Sequence, residues 1–339
     1  MLKSIGAAAC VLCASGAAAK PVITEFDVPG ATTTYVSGMN ALGGISGTYV
    51  SGGHADGYVR ETNGSFTFFN QTSTFPETIN VNRQTAGYTL DADGDAFVAG
   101  NNGTVTAFAP PGTSSSFGAS AEALDGHGNA AGYYFDSDTT AHGFLRQHRG
   151  RTLTFDAPGA GTNGRKGTFV DGLTLHGSMA GYILDNTGAY HGFLRTKDAT
   201  FAAVDVDGAG TGANQGTRVL CMNKKDMVAG YYQTADNARH GFLRDVGGTV
   251  STFDVPGAAD TVVKSVNAGG VAAGFYIDTN GASHGFERTR KGRIIAIDAP
   301  DAGTANGQGT TVVSVNDVGE VVGFYFDSAG AQHGFFRVK

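Results

Sequence analysis

Short runs of Val, Phe, Tyr and Thr recur along almost the whole chain, and Gly, Asn or Asp separates each run from the next. Runs of about four to eight such residues between turn residues predict β-strands. The last part of the chain shows the pattern clearly. It contains Ala296–Pro300, Val312–Asn316, Val321–Tyr325 and His333–Arg337. We label these four segment types w, x, y and z, in that order.

The four segments repeat in the same order up the chain. A Gly in segment y marks each repeat, at intervals of 40 to 49 residues with a mean of 46: Gly47, Gly87, Gly132, Gly181, Gly230, Gly274 and Gly323. Seven units of 46 residues amount to 322 residues, and 320 residues follow position 19. The repeat therefore accounts for residues 20–339 as one domain and leaves no room for a second.

The connections between segments indicate how the units are built. The x-y, y-z and z-w connections are tight enough for antiparallel hairpins, whereas the w-x link is long. A long link after every fourth strand is typical of a β-propeller, whose chain must cross from the outer edge of one blade to the centre of the next. The sequence thus predicts an all-β fold, a single seven-bladed β-propeller whose four-stranded blades run x-y-z-w, with x nearest the axis.

The phase of the repeat makes a further prediction. The chain begins with a w segment, Thr24–Val28, and ends with a z segment, His333–Lys339. The last blade therefore lacks its outer strand unless the N-terminal strand supplies it. Such closure would remove the open sheet edge that invites pairing with other chains, so we expect a monomer.

Residues 1–19 have the features of a secretory signal peptide. Lys3 gives a positive start, Ile5–Leu12 is apolar, and Ala17–Ala19 provides a small-residue cleavage site. We expect cleavage after Ala19 and a secreted or periplasmic protein. The mature chain would keep Cys221 as its one cysteine, so no internal disulfide is expected.

Composition narrows the classes of partner. The chain has 53 Gly, no Trp and a formal net charge of −7. An acidic chain without basic clusters is not expected to bind nucleic acid. No apolar run of about 18 residues follows the first twenty positions, so no membrane span is expected.

A His in segment z precedes an Asp in segment w by 14 residues in four units. The pairs are His142 and Asp156, His191 and Asp205, His240 and Asp254, and His284 and Asp298. Asp27 on the closing strand would serve His333 in the same way. One such pair would suggest general-base catalysis, but five copies favour a structural hydrogen bond that fixes hairpin register. The repeated z-segment Arg is interpreted in the same way.

These motifs carry a resemblance to a known family. His-Gly-Phe-Leu-Arg, followed by Thr-Phe-Asp-Val-Pro-Gly-Ala and Val-Asn-x-x-Gly-x-Val-x-Gly-x-Tyr, resembles the bacterial extracellular repeats called the HAF family. The resemblance covers almost everything from Thr24 to Lys339. It implies an exported repeat protein and brings with it no established reaction, cofactor or catalytic residue.

Candidate functional residues are sought where units depart from their own consensus. In the x-y turn, three consecutive units carry His127, His176 and Lys225, where the other four have Leu, Asn, Gly or Val. Around a channel mouth, these groups would hold an anionic ligand or act as acid, base and charge stabiliser. A solvated turn that tolerates any polar residue is the alternative. Two His are too few for a zinc site, so neither a metal nor a cofactor is expected.

The opposite face carries the long w-x links. These links contain Arg165, Lys166, Asn214 and Gln215, a polar and Gly-rich set that suits sugars or peptides as well as solvent. The sequence therefore predicts an exported scaffold that binds a glycan, a peptide or a small molecule. The competing class is a secreted lyase or hydrolase of an extracellular glycan or small ester, with His127 or His176 as base and Lys225 or Arg165 as charge stabiliser.

Overall fold

The structure, a computed structural model, describes residues 22–90 and 94–338. Strands, turns and bends make up this part of the chain, which contains no helix. Accordingly, no helix in residues 22–90 and 94–338 is long and apolar enough to cross a membrane. The predicted signal peptide, residues 1–19, lies outside the described residues.

Strand order follows the order of the repeated segments throughout the described residues. A w strand, β1 (Val22–Phe26), comes first, and six x-y-z-w groups and one x-y-z group follow it. The first three groups are β2 (Thr33–Met39), β3 (Ile45–Ser51), β4 (His54–Arg60), β5 (Phe66–Phe68); β6 (Thr74–Ile79), β7 (Thr85–Thr89), β8 (Ala96–Ala99), β9 (Val105–Phe108); and β10 (Ala119–Leu124), β11 (Ala130–Phe135), β12 (Ala141–Arg146), β13 (Thr152–Phe155). The next two are β14 (Gly167–Leu173), β15 (Met179–Leu184), β16 (Tyr190–Arg195), β17 (Phe201–Val204); and β18 (Gly216–Met222), β19 (Val228–Gln233), β20 (Arg239–Arg244), β21 (Val250–Phe253). The last two are β22 (Asp260–Val266), β23 (Ala272–Ile277), β24 (Ser283–Arg288), β25 (Ile294–Ile297); and β26 (Gly309–Val315), β27 (Val321–Phe326), β28 (Gln332–Val338).

Each group forms an antiparallel sheet in which neighbours in sequence are neighbours in space, as in β2-β3-β4-β5. We call these sheets units 1 to 7. In unit 7 the fourth strand is β1, which pairs antiparallel with β28 from Val22 opposite Val338 to Phe26 opposite Gly334. The two ends of the described chain therefore share one sheet.

The inner hairpin of every unit has a β-bulge at the same place. In unit 3, Ala121 pairs with Gly132 and Ala123 with Ala131, so that Glu122 has no partner across the ladder. The y-strand Gly makes this geometry possible, because a Cβ atom on Gly132 would lie 1.9 Å from the carbonyl oxygen of Ser120. A bulged residue turns out of the regular strand alternation and re-aims its side chain. The same bulge recurs in the other six units.

The core is divided among the contacts between consecutive units. For example, Val170 and Phe193 of unit 4 pack with Ala131 of unit 3, and Val36 and Ile45 of unit 1 pack with residues of unit 7. A buried aromatic ring of the z strand lies at these contacts in units 2 to 7: Phe97, Phe144, Phe193, Phe242, Phe286 and Phe335. Because unit 7 packs against unit 1 just as the others pack in sequence, every unit has two neighbours.

The repeated z-strand Arg stabilises several of these contacts from the outer side. Its guanidinium lies over an aromatic ring on the outer strand of the preceding unit, 4.5 Å from Phe108 for Arg146 and 4.8 Å from Phe26 for Arg60. Such cation-π contacts contribute about 0.5–1 kcal/mol where they are exposed and more where water is excluded. The structural interpretation of these arginines is therefore supported, and Arg60 also joins unit 1 to the N-terminal strand.

Side-chain amides join the units at the x-y turns. Asn40 donates from its amide to the carbonyl oxygen of Asn80 at 3.0 Å, and Asn223 does the same to Asn267 at 2.8 Å. The amide oxygen of each accepts hydrogen bonds from the backbone of its own turn. Asp125 and Thr174 stand at this position in units 3 and 4 and have no amide to donate. The ring of turns is thus least tied together between units 3, 4 and 5.

The bulge predicts a large effect for a small substitution. Replacing Gly132 by Ala would place a methyl group against the carbonyl oxygen of Ser120, so we expect a loss of about 3 kcal/mol or more in the free energy of unfolding. Gly330 is the matched control, because it has a φ of +83° but open space around it. Gly330→Ala should cost only about 1 kcal/mol. Thermal melting of the two variants measures the difference, and equal melting would contradict the account.

Candidate functional site: the central channel

All five predicted His-Asp pairs are present. Nδ1 of His142 lies 2.8 Å from Asp156, and the distances for His191, His240 and His284 to their partners are 3.2, 2.9 and 3.1 Å. His333 meets Asp27 of the N-terminal strand at 2.9 Å. In most of these units the ring also stacks on a y-strand tyrosine, as His142 does on Tyr134. Five equivalent constructions on the outer hairpins support the structural interpretation.

The charge environment of these imidazoles matches that role. Partial burial lowers the pKa of His142, but the hydrogen bonds that its ring donates to the carboxylates of Asp136 and Asp156 outweigh it and raise the pKa above its usual value. His333, between Asp27 and Asp327, behaves in the same way. An imidazole held between two carboxylates is a clamp between strands, since both its nitrogens are already engaged.

The three residues of the x-y turns do not meet at a common site. His127 has a side chain 66% exposed, and its Nδ1 lies 3.8 Å from the carboxylate of Asp125 in the same turn. His176 is exposed on the next turn. Lys225 donates from Nζ to the carbonyl oxygen of Ala268 at 2.8 Å, so its ammonium joins unit 5 to unit 6. His127 and Lys225 line two separate surface cavities. Their catalytic role stays a prediction.

The residues of the w-x links are engaged in holding those links. Lys166 donates from Nζ to the carbonyl oxygen of Asn186 at 2.7 Å, and Gln215 donates to that of Ala235 at 3.1 Å. The guanidinium of Arg165 lies 5.3 Å above the ring of Phe117. Arg165 and Asn214 both have a positive φ of 63°. Each of these side chains or backbones thus has a local structural task, and ligand binding by them stays a prediction.

A different set of residues comes together at the centre. One cavity of about 290 Å³ is lined by the inner strand of all seven units. The bulged residue of every unit contributes to it: Ser37, Glu77, Glu122, Asp171, Leu220, Lys264 and Val313. We call this cavity the central channel. It contains three carboxyl groups from consecutive units and one ammonium group from unit 6.

The carboxyl groups of the central channel are strongly perturbed. Burial raises the pKa of Glu77 to about 8, with a further rise from Glu122 and an opposing effect of Lys264. Burial also raises the pKa of Asp171 to about 7 and that of Glu122 above its usual range. One oxygen of Asp171, Oδ2, is shielded from solvent and has no hydrogen-bond partner among the described residues. Lys264 opposes this rise in pKa in all three carboxyl groups and Arg218 opposes it in Glu122 and Asp171, so three carboxyl groups face two cations.

Side chains of the x-y turns form contacts between units at one end of the channel. A Cβ atom placed on Gly126 would lie within 3.6 Å of both Val81 and Leu175, so the turns of units 2 and 4 approach that of unit 3. Nζ of Lys224 forms an ion pair with Asp317 at 2.6 Å, from unit 5 to unit 7. These contacts join turns of units that are not all neighbours in the chain.

No family model and no curated protein matches the chain. Solved structures do resemble it. The virginiamycin B lyase from Staphylococcus aureus is 11% identical, with 94% of this chain and all of that chain covered and a TM-score of 0.60. A catalytically inactive histidine-to-alanine variant of that lyase with quinupristin gives a TM-score of 0.58. A lectin from Burkholderia pseudomallei is 10% identical, with 90% of this chain and 98% of that chain covered and a TM-score of 0.52.

At these identities the likeness concerns the fold. It spans nearly the whole of this chain and of each neighbour, so the repeated all-β architecture is propeller-like along its full length.

The buried carboxyl groups predict an unusual pH dependence. At pH values between the ordinary pKa of a carboxyl group and the raised pKa of these groups, the folded protein binds more protons than the unfolded chain. Stability from these groups is therefore present at low pH and is lost as pH rises toward 8. We expect Glu77→Gln with Asp171→Asn to raise the melting temperature by several degrees at pH 8 and to change it little at pH 5. Asp198→Asn, at a side chain 73% exposed, is the control and should have little effect at either pH. If the double variant and the wild type had the same melting temperature at pH 8, the raised pKa values of these carboxyl groups would be contradicted.

Proposed function

We propose that the chain is an exported seven-bladed β-propeller, closed by its N-terminal strand, that acts as a ligand-binding scaffold in the cell envelope or outside the cell. Its ligand, a small molecule or a small part of a glycan or peptide, enters the central channel. The seven units are the blades in this proposal, with the bulged inner strands around the axis. Membership of the HAF family and cleavage after Ala19 belong to the same proposal and rest on the sequence.

Ring closure is supported by three independent contacts at one junction. β1 completes the sheet of unit 7 by pairing with β28. Asp27 on its C-terminal side accepts the hydrogen bond of His333, as the equivalent Asp does in four other units. Arg60 of unit 1 lies over Phe26, as the Arg of other units lies over the outer strand before it. These three contacts support the proposal that the N-terminal strand is the fourth strand of the last blade.

The observation that carries the ligand-binding proposal is the divergence at the bulge. The units agree at the y-strand Gly, the z-strand aromatic residue and most of the His-Asp pairs, all of which serve the fold. They disagree at the bulged position, which holds two Glu, one Asp, one Lys, one Ser and two apolar residues. Half-buried carboxyl groups with raised pKa values at that position oppose folding, and such groups are typical of functional sites. The repeated positions thus maintain the fold, whereas the bulged residues give the channel an interior that differs from unit to unit.

An enzyme is the second candidate, and one specific observation favours it. Carboxyl groups with a pKa of about 7 and about 8, as Asp171 and Glu77 have, suit general acid and base catalysis near neutral pH. In that case the channel carboxyls, and not His127 or His176, would move the proton. A lyase or hydrolase of a glycan or small ester stays compatible with this chemistry.

Array screening tests the proposed function. The mature protein is applied to arrays of glycans, peptides and small molecules, beside the triple variant Glu77→Gln, Glu122→Gln, Asp171→Asn. We expect the triple variant to lose the ligands of the wild type by tenfold or more, because their charged contacts in the channel are removed. A second variant, His127→Ala with His176→Ala, should keep them. The reverse pattern would move the site to the x-y turns. Turnover of any bound compound by the wild type, absent in the triple variant, would favour the enzyme.

Closure has its own test. A chain that begins at Thr32 lacks β1 and the buried Val28, so it loses the packing of several apolar side chains at about 1.5–3 kcal/mol each. We expect it to melt at least about 5 °C below a chain that begins at Lys20. Phe26→Ala should show part of this loss, whereas Phe68→Ala, at a ring 45% exposed on the outer strand of unit 1, should show little. Equal melting of the two chains would rule out a closing role for β1.

A further inference from the structure

A second cavity adjoins the central channel between units 1 and 2. Its volume is about 280 Å³, and it is lined by Tyr35, Phe75, Tyr88 and Glu77 together with small apolar and hydroxyl side chains. Tyr35, Ser37 and Glu77 line both cavities, so the two adjoin each other. This cavity lies toward the w-x end of the inner strands, where Tyr35 and Phe75 stand near the beginning of β2 and β6.

The walls of this cavity are aromatic and already arranged. Phe75 and Tyr88 stack with ring centroids 5.0 Å apart and an interplanar angle of 7°. Tyr35 remains 38% exposed, although its other side packs on Phe324 at 4.8 Å. A flat aromatic wall and an exposed ring, beside Val50, Ala55 and Pro76, suit the hydrocarbon part of a ligand of about ten non-hydrogen atoms.

The charge at the base of the cavity is negative and incompletely compensated. Glu77 faces Glu122 of β10 and Asp171 of β14 across the channel, and Lys264 of β22 is the cation whose charge reaches all three. The other nearby cation, Arg218, donates to the hydroxyl of Tyr182 at 2.7 Å and lowers the pKa of Glu122 and Asp171, but Glu77 has Lys264 alone as its cation. The unpartnered Oδ2 of Asp171 is a second sign that this interior lacks a positive partner.

We propose that Glu77, Tyr35, Phe75 and Tyr88 form a binding site for a small organic cation, an ammonium group carried on an apolar body. The ammonium group lies against the carboxylate of Glu77 and toward the channel, and the apolar body lies between the aromatic side chains. Aromatic faces attract cations, and a carboxylate in a partly dry cavity binds an ammonium group more strongly than one in water does. This inference rests on the proposed function, because it names the ligand class of the same channel.

Calorimetric titration with phenethylammonium tests the proposal, with phenethyl alcohol as the neutral compound of matching shape. At pH 8.5, where the carboxyl of Glu77 is mostly ionised, the mature protein should bind the cation at least tenfold more tightly than the alcohol. Glu77→Gln should lose about tenfold in affinity for the cation and little for the alcohol. Tyr88→Leu should weaken both compounds, because it removes half of the stacked wall. Asp198→Asn, at an exposed carboxylate, is the control that leaves both affinities unchanged.

The outcomes separate this inference from the function it deepens. Equal binding of cation and alcohol, unchanged cation binding by Glu77→Gln, or no binding of the cation at millimolar concentration overturns the cation site. Melting curves of the variants show that each is folded, so a lost signal reports the site. If the cation fails while the triple channel variant still loses a neutral ligand from the arrays, the scaffold stands and the ligand class is wrong. If the triple variant loses nothing from the arrays, the proposed function fails as well.

Discussion

The contact between a y-strand glycine and an x-strand carbonyl oxygen governs the rest of this structure. In every unit a Cβ atom on that glycine would lie about 2 Å from the carbonyl, closer than any side chain tolerates. The missing side chain lets the inner strand bulge. The bulge then places one residue per unit on the wall of the channel, at a position that has no partner in the strand ladder. The bulge and the position of its residue in the channel thus both require that the y-strand glycine has no Cβ atom.

This arrangement divides the work among the residues of each unit. The z-strand aromatic ring packs between neighbouring units, and the His-Asp pair of five units joins neighbouring strands. The bulged residue is free to differ, because its neighbours are the channel and its counterparts in other units. Three carboxyl groups there oppose folding at neutral pH, since burial raises their pKa. The stabilising contacts that repeat from unit to unit offset this unfavourable contribution of the channel carboxyl groups to the free energy of folding.

Much of the architecture was predictable from the sequence, for physical reasons. Regular spacing of the y-strand Gly and the long w-x links follow directly from strand and turn chemistry, and the four segments of each unit are strands in the structure. The predicted His-Asp pairs are confirmed, because a separation of 14 residues across a tight hairpin leaves little choice of register. Their repetition in five units favours a structural role.

The inner positions predicted from the sequence lie one residue after the acidic residues of the channel. Small side chains two places before the turn Asn, such as Gly38 and Ala123, do line the channel, as expected for the innermost strand. The acids stand three places before it, where regular alternation would point them away from the axis, and a bulge is not visible in the pattern of apolar and polar residues. Comparing the units at that position would have revealed the run Glu77, Glu122, Asp171. The sequence pattern favoured the x-y turns instead, because His and Lys stand out there. The direction in which a turn side chain points is set by local hydrogen bonds, such as that of Lys225 to Ala268.

The most direct test of this account is a carboxyl-carbon NMR titration of the mature protein, with Glu77→Gln and Asp171→Asn used to assign the signals. Bulges that carry the acids into a shared channel predict that Glu77 titrates near pH 8 and Asp171 near pH 7, while exposed carboxyls titrate in their ordinary range. Each should also shift when the other is replaced, because their charges interact. Ordinary titration of both groups, independent of each other, would mean that the acids face water and that the channel does not bring them together.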